Sequence, residues 1–296
     1  MHKLVRSRTA PQEFFMTPRS KFWYVSALLL LSQSAHNAMA EEAKKPLWEF
    51  GMGAFAMQLP AYRGSVESRN DVLPVPYLIY RGEKLKADKD GVRGVFFESD
   101  MAEVNLSIAA SPPVSSDNIP VRQGMPELNS SMELGPSVDL KLWHSPAHDV
   151  KFKLFLPLRA AFTLERDSHF IGWQFTPRLA LDVENPLGMT GWTLGMLAGP
   201  VFGSAQQHDY FYGVAPQYAT AARPAFVAQA GYAGVQALSA LWKRFPSFWV
   251  GGFVRYDNVR GAVFENSPLV TQKSGFAGGL AVTWVFAESS QKVSTE

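Results

Sequence analysis

From Val150 to Leu164 two kinds of side chain alternate, residue by residue. Val150, Phe152, Leu154, Leu156, Leu158, Ala160, Phe162 and Leu164 occupy one set of positions, and Lys151, Lys153, Phe155, Pro157, Arg159, Ala161 and Thr163 occupy the other. A period of two means an extended strand with one greasy face and one mostly polar face. The run is longer than the roughly five or six residues of an ordinary soluble strand, and a tilted strand needs only about 9–11 residues to cross a bilayer. This segment therefore points to a transmembrane β-barrel, and the rest of the chain tests the idea.

The pattern recurs. Met132, Leu134, Pro136, Val138, Leu140 and Leu142 alternate with Glu133, Gly135, Ser137, Asp139 and Lys141. Similar alternation runs from Glu103 to Ala110, from Ile171 to Val183 and from Phe276 to Phe286. A soluble β-sandwich also alternates, but with shorter strands and more frequent turns. Aromatic residues near the predicted strand ends (Trp48, Tyr77, Trp143, Trp192, Trp242, Trp249 and Trp284) fit the girdles of an outer-membrane barrel. Two uncharged stretches, Pro186–Gln207 and Ala225–Trp242, resemble membrane helices. In the first, Gly191, Gly195, Gly199 and Gly203 repeat every fourth residue as in packed helices. Its glycines and Pro200 are poor helix material. As a strand it sends Trp192, Leu194, Met196, Ala198 and Phe202 to lipid and the glycines and Thr193 inward, and Ala225–Trp242, with Gly231, Gly234 and several alanines, is read as a strand as well.

The first forty residues read as an export signal. Lys3, Arg6, Arg8, Arg19 and Lys21 form a basic start, Phe22–Leu31 an apolar core, and Ala38-Met39-Ala40 a small-x-small cleavage site. Met16 is an alternative start. Five of the 28 basic residues and one of the 26 acidic residues precede residue 41, leaving 23 and 25 and a net of −2. That balance shows no nucleic-acid footprint. With no cysteine, disulfide scaffolds and thiolate metal sites are excluded. The expected organisation is a signal peptide over 1–40, a barrel over 41–286 and a polar periplasmic tail over 287–296.

Breaker-rich segments at Pro60–Asn70, Ser111–Ser131, Ala205–Pro224 and Gly261–Ser274 make long connectors. Short ones fall at 82–91, 144–149, 184–191 and 244–247. Single-chain bacterial barrels have an even strand number. Reading 91–98 and 101–110 as one strand gives an all-β antiparallel barrel of ten strands. The alternative, twelve, splits 91–110 and adds a strand within 205–224.

Several stretches resemble the MipA/OmpV family of Gram-negative outer-membrane proteins. They are Pro60–Ser65, Pro74–Tyr77 through Tyr80-Arg81-Gly82, Arg122–Pro126, Glu133–Pro136, Leu156–Arg159, His208–Val214 and Phe253–Asp257. The likeness spans Trp48 to Phe286, and the order and spacing of these short motifs make it specific. It implies an outer-membrane barrel without enzymatic activity or cofactor. It also implies a role anchoring murein-remodelling enzymes, a lytic transglycosylase and a penicillin-binding murein synthase, at the outer membrane. Other members are described in osmotic response or adhesion, so a small-solute pore or stress-responsive channel is the alternative. The chain departs from barrels that end on the aromatic of their last strand, because Ala287–Glu296 follows Phe286.

The polar strand faces supply inward charges of both signs: Glu103, Glu133, Asp139, Lys141, Lys151, Lys153, Arg159, Arg178, Asp182, Arg255 and Asp257. In a narrow barrel the expectation is a salt-bridged lumen network that satisfies buried charge. A hydrolase would need a nucleophile, a base and an orienting carboxylate within reach. Ser204, His208 and Asp209 are close in sequence, but adjacent His and Asp on a strand face opposite ways, and no Gly-x-Ser-x-Gly elbow is present. His208 with Tyr210 and Tyr212 is expected to pack a loop over the barrel mouth. Asp88-Lys89-Asp90-Gly91 lacks the twelve-residue calcium pattern and reads as a polar turn. The periplasmic surface open to a partner is expected to be the rim around Lys84, Lys86 and Lys89, the segment Glu41–Pro46 and the tail.

Overall fold

The computed structural model describes residues 44–88, 90–147 and 149–294. The expected signal with Ala38 and Ala40, together with Lys89 and His148, lies outside the described residues. No described helix is long and apolar enough to cross a membrane.

Twelve antiparallel strands form the wall. They begin with β1 (Trp48–Pro60), β2 (Ser68–Arg81), β3 (Leu85–Asp88), β4 (Gly91–Glu98) and β5 (Ala102–Ser111). Next come β6 (Ser131–His144), β7 (Val150–Thr163) and β8, which is broken into β8a (Phe170–Phe175) and β8b (Arg178–Glu184). The wall ends with β9 (Trp192–Gly203), β10 (Gly231–Arg244), β11 (Phe248–Asn258) and β12 (Ser274–Glu288). Each strand pairs with the next, and β12 pairs with β1 from Gly278↔Gln58 to Glu288↔Glu49, which closes the ring. The interruption in β8 falls at Thr176-Pro177, and both halves keep β7 and β9 as neighbours. A Cβ at Gly199 of β9 would collide with the Pro177 carbonyl, so only glycine lets the backbones approach there.

The count is twelve rather than ten. Residues 91–110 do split, at 99–101, but the other added strand is β3 and not a segment of 205–224. That segment instead carries α1 (Ala205–Tyr212), capped by the Ser204 side chain. Within the expected short connector 82–91, Leu85–Asp88 is therefore not part of a simple turn but the rising half of a short hairpin, β3–β4.

Exposure follows the alternation. In β1, Trp48, Phe50 and Met52 face out while Phe55, Met57 and Leu59 face in. Trp48, Trp143, Trp192 and Trp284 lie on the outer face near strand ends. Three expected girdle aromatics turn inward instead. Tyr77 packs on Trp249 with ring centroids 5.9 Å apart, and Trp242 packs on the lumen core. Strand parity, not aromatic character, decides their side.

Candidate functional site

The lumen is divided. Its apolar side gathers Phe55 and Met57 from β1, Val75 from β2, Phe155 from β7, Leu197 from β9, Leu238 and Ala240 from β10 and Phe253 from β11. Charge does not fill the whole interior, as the alternation had suggested, because inward positions of β9–β12 and β1 are largely small or apolar.

The ionic side is organised by the β3–β4 hairpin. Arg93 Nε donates to Glu103 Oε1 at 2.6 Å, and its two terminal nitrogens grip Asp88 at 2.6 and 3.1 Å. Lys86 Nζ reaches Glu98 at 2.6 Å and Glu103 at 3.3 Å. Asn105 donates to Glu103 at 2.9 Å and to Asp139 at 2.7 Å, and Ser137 donates to Asp139. Lys153 spans from β7 to Asp90 at 3.1 Å. Such charge-assisted bonds satisfy groups that would otherwise be costly to bury.

The other expected lumen charges fall into separate groups. Arg159 bonds Ser107 and stands 3.8 Å from Glu133, with Arg178 interacting across the same space. Lys151 and Asp182 are opposite residues of the β7–β8 ladder. Lys141 donates to the Ser99 carbonyl. Arg255 and Asp257 pair at 2.8 Å at the long-loop end, where Arg63 and Gln236 also bind Asp257. The organising residues Arg93, Asp88 and Arg63 were not among the expected charges. Asp88 and Arg93 share Lys86's hairpin, and a period-two reading across 85–95 would have put Arg93 on an inner face.

The long loops build a second core over one mouth. Tyr62, Ile119, Leu128, Tyr212, Val214, Phe264 and Leu269 come from all four long connectors and bury together. Tyr212 stacks on Phe264 with centroids 3.6 Å apart and donates its hydroxyl to the Arg63 carbonyl. Tyr62 donates to the Leu269 carbonyl. The buried Arg122 side chain binds Ser116 and the carbonyls of Phe211 and Pro126.

Ser204, His208 and Asp209 belong to this cap and serve separate ends. Ser204 Oγ caps α1, and Asp209 Oδ1 accepts from the Ala228 amide. His208 Nδ1 donates to the Gln229 carbonyl at 2.6 Å, and the ring meets Phe264 edge-on. Burial lowers the His208 pKa below the usual histidine value, with Arg63 adding to the effect. The unfolded loop therefore takes up a proton first as pH falls. The contribution of the neutral ring to cap stability is complete above about pH 6.5 and is lost as pH drops from there through the lowered folded value. Tryptic cleavage at Arg122 and Arg223, taken relative to cleavage of a small peptide substrate at each pH, is expected to accelerate as pH falls below about 6.5, and His208→Gln to flatten that dependence. An unchanged profile in the variant would exclude His208 as the group responsible.

At the opposite mouth the two segments flanking the barrel are tied together. Lys45–Pro46 pairs with Lys292–Val293, and Leu47 donates to the Gln291 carbonyl. Burial, with Arg81 beside it, pulls the Lys45 amine down to about 7. Glu49 accepts from Arg81 at 2.6 Å and lies 3.0 Å from Arg244. Of the expected rim lysines, Lys84 is exposed, while Lys86 turns inward to Glu98 and Glu103 and is not a rim charge. The last strand continues past Phe286 to Glu288.

Residues 51–286 match the family described as "MltA-interacting protein MipA". No curated protein matches the chain. Among solved structures, a "Bacterial polysaccharide outer membrane secretin" is 8% identical, with a TM-score of 0.40, over 82% of this chain and 99% of that one. The outer membrane protein OprG from Pseudomonas aeruginosa is 10% identical, with a TM-score of 0.23, over 82% of this chain and 95% of that one.

Proposed function

The chain belongs to the MltA-interacting protein MipA family, and from that premise we propose that it is an outer-membrane scaffold whose short-turn rim faces the periplasm and docks murein-remodelling enzymes. Short turns on the periplasmic side and long loops outside are the rule for such barrels. The observation that carries the reading is the pairing of Lys45–Pro46 with Lys292–Val293 at the short-turn mouth, where Lys84 is exposed, which gives that mouth an ordered surface. A capped long-loop mouth and an apolar lumen core suit an anchor better than a conduit.

The test is affinity capture from cross-linked envelopes. The intact protein is expected to retain a lytic transglycosylase or a murein synthase. A variant combining Lys84→Glu with deletion of residues 289–296 is expected to lose most of that capture while remaining a folded, heat-modifiable barrel. Equal capture by both proteins would overturn the assignment of the rim.

A further inference from the structure

The wall is not uniform. The ladder between β2 and β3 consists of two residue pairs, Tyr80↔Ala87 and Arg81↔Lys86. From Ser68 to Ile79, β2 pairs with β1 alone. On the other side of the hairpin, the β4–β5 ladder ends at Arg93↔Ser107, so Ile108–Ser111 of β5 pairs with β6 alone. At hairpin level β2 and β5 stand three strand spacings apart, about 14 Å. Above Asp88 and Gly91 no described strand lies between them. The gap is closed again near the long loops, where Arg69 donates to the Pro113 carbonyl at 2.8 Å. The result is a window in the wall, bounded below by the hairpin and above by this bond.

The chemistry of the free edge is specific. Arg81 donates its amide toward β1, to the Leu47 carbonyl. Backbone direction alternates along a strand, so odd residues of β2 face β1 and even residues face the window. The even residues include Pro74 and Pro76, which have no N–H to offer. Their side chains, with Val72 and Leu78, point outward in continuity with the lipid-facing belt. Trp48 lies opposite Tyr80 at the low edge of that belt. The prolines are four and six residues higher, roughly 13–20 Å along a tilted strand, which places them near mid-bilayer. Backbone donors left unpaired at that depth cost several kcal/mol each, and two of them have been removed. Prolines also discourage another strand from adding to an edge.

We propose that this window is a lateral portal occupied by the acyl chain of a membrane lipid, which lies along the proline edge of β2 and reaches the lumen side of the wall. The edge rejects a polypeptide strand, opens at acyl-chain depth and is flanked by inward-facing side chains that are sealed at Val75 but not at the position above it or across the gap. Leu73 of β2 and Ser107 and Ala109 of β5 remain partly exposed, whereas Leu197, Leu238 and Phe253 on the far wall are buried. This site is independent of the rim proposed to dock murein enzymes.

The test uses the native protein reconstituted in phosphatidylethanolamine vesicles with a tracer phospholipid carrying a diazirine in mid-acyl position. After irradiation, adducts are mapped by peptide mass spectrometry. Outward-facing Val72 and Leu78 are expected to be labelled, and so are inward-facing Leu73 and Ala109, while Leu197 and Leu238 stay unlabelled. Adducts confined to outward-facing side chains would overturn the portal. So would a second polypeptide cross-linked along Val72–Leu78 in place of lipid.

Discussion

Replacing Arg93 with methionine is expected to destabilise the barrel by about 3–5 kcal/mol, the usual effect of removing one partner from a buried ion pair. Arg93 is 7% exposed and is the direct partner of both Asp88 and Glu103. Methionine fills much of the same volume but leaves two carboxylates without their guanidinium. Lys86 still serves Glu103, while Asp88 loses the bidentate grip. The position matters because the backbone ladder is thinnest here, with two pairs joining β2 to β3 and four joining β3 to β4. The hairpin is held into the wall as much by ions as by strand pairing. Guanidinium unfolding in detergent, followed by the shift between compact and unfolded bands on unheated gels, reads the effect. Arg93→Lys keeps the charge but loses the fork and is expected to fall between the two. Adding Glu103→Gln to Arg93→Met should recover part of the loss. The exposed Lys273–Glu265 pair is the internal contrast, and Lys273→Ala there is expected to leave stability nearly unchanged. If Arg93→Met costs no more than Lys273→Ala, the hairpin's ion cluster is not what holds that seam.

The same seam explains what could and could not be read from sequence. Strands β6 and β7 stand out because their alternation is long and unbroken, and the described boundaries, 131–144 and 150–163, nearly match the pattern. Strand β3 has four residues, too few to show a period, and sits among Gly82, Glu83 and Asp90, which read as turn. Merging 91–98 with 101–110 then gave an even number by a different route, so parity could not reveal the missing strand. Inward charge was legible residue by residue, since Glu103, Asp139, Lys153 and Arg159 all fall on the polar face. The partners were not, because pairing depends on which strands become neighbours. The cap shows the same limit more strongly. Motifs such as Pro60–Ser65, Arg122–Pro126 and His208–Val214 are visible locally. Their contact is tertiary: the Tyr62 hydroxyl meets a carbonyl 207 residues away. Tyr77, Trp242 and Trp249 mark a third limit, because an aromatic near a strand end serves a girdle or a lumen equally well until register is known.

Phe264→Ala is expected to loosen the cap without opening a channel, and the two halves of that result test different parts of the fold. Phe264 is fully buried, stacks on Tyr212 and meets His208 edge-on. Truncating such a ring typically costs about 3–5 kcal/mol through lost burial and the cavity left behind. The loss falls on the cap because Phe264 packs within the loop core and not within the lumen core. Every 1.4 kcal/mol is about tenfold in an equilibrium. When opening is fast, proteolysis follows the open population, so tryptic cutting at Arg122 and Arg223 should rise on the order of 10²–10³-fold. The twelve-strand wall should keep its heat-modifiable migration. Conductance in planar bilayers is the sharper readout. Were the cap the sole barrier, loosening it would give ion flow through the barrel. Below the cap, however, Phe55, Phe155, Leu197, Leu238 and Phe253 meet across one side of the lumen, and the Arg93 cluster fills the other. The variant is therefore expected to be cut readily and to conduct as little as the native protein. High conductance from Phe264→Ala would show that the lumen packing does not seal the barrel. It would favour the pore over the scaffold, because a passage gated only by loops is what a solute channel requires.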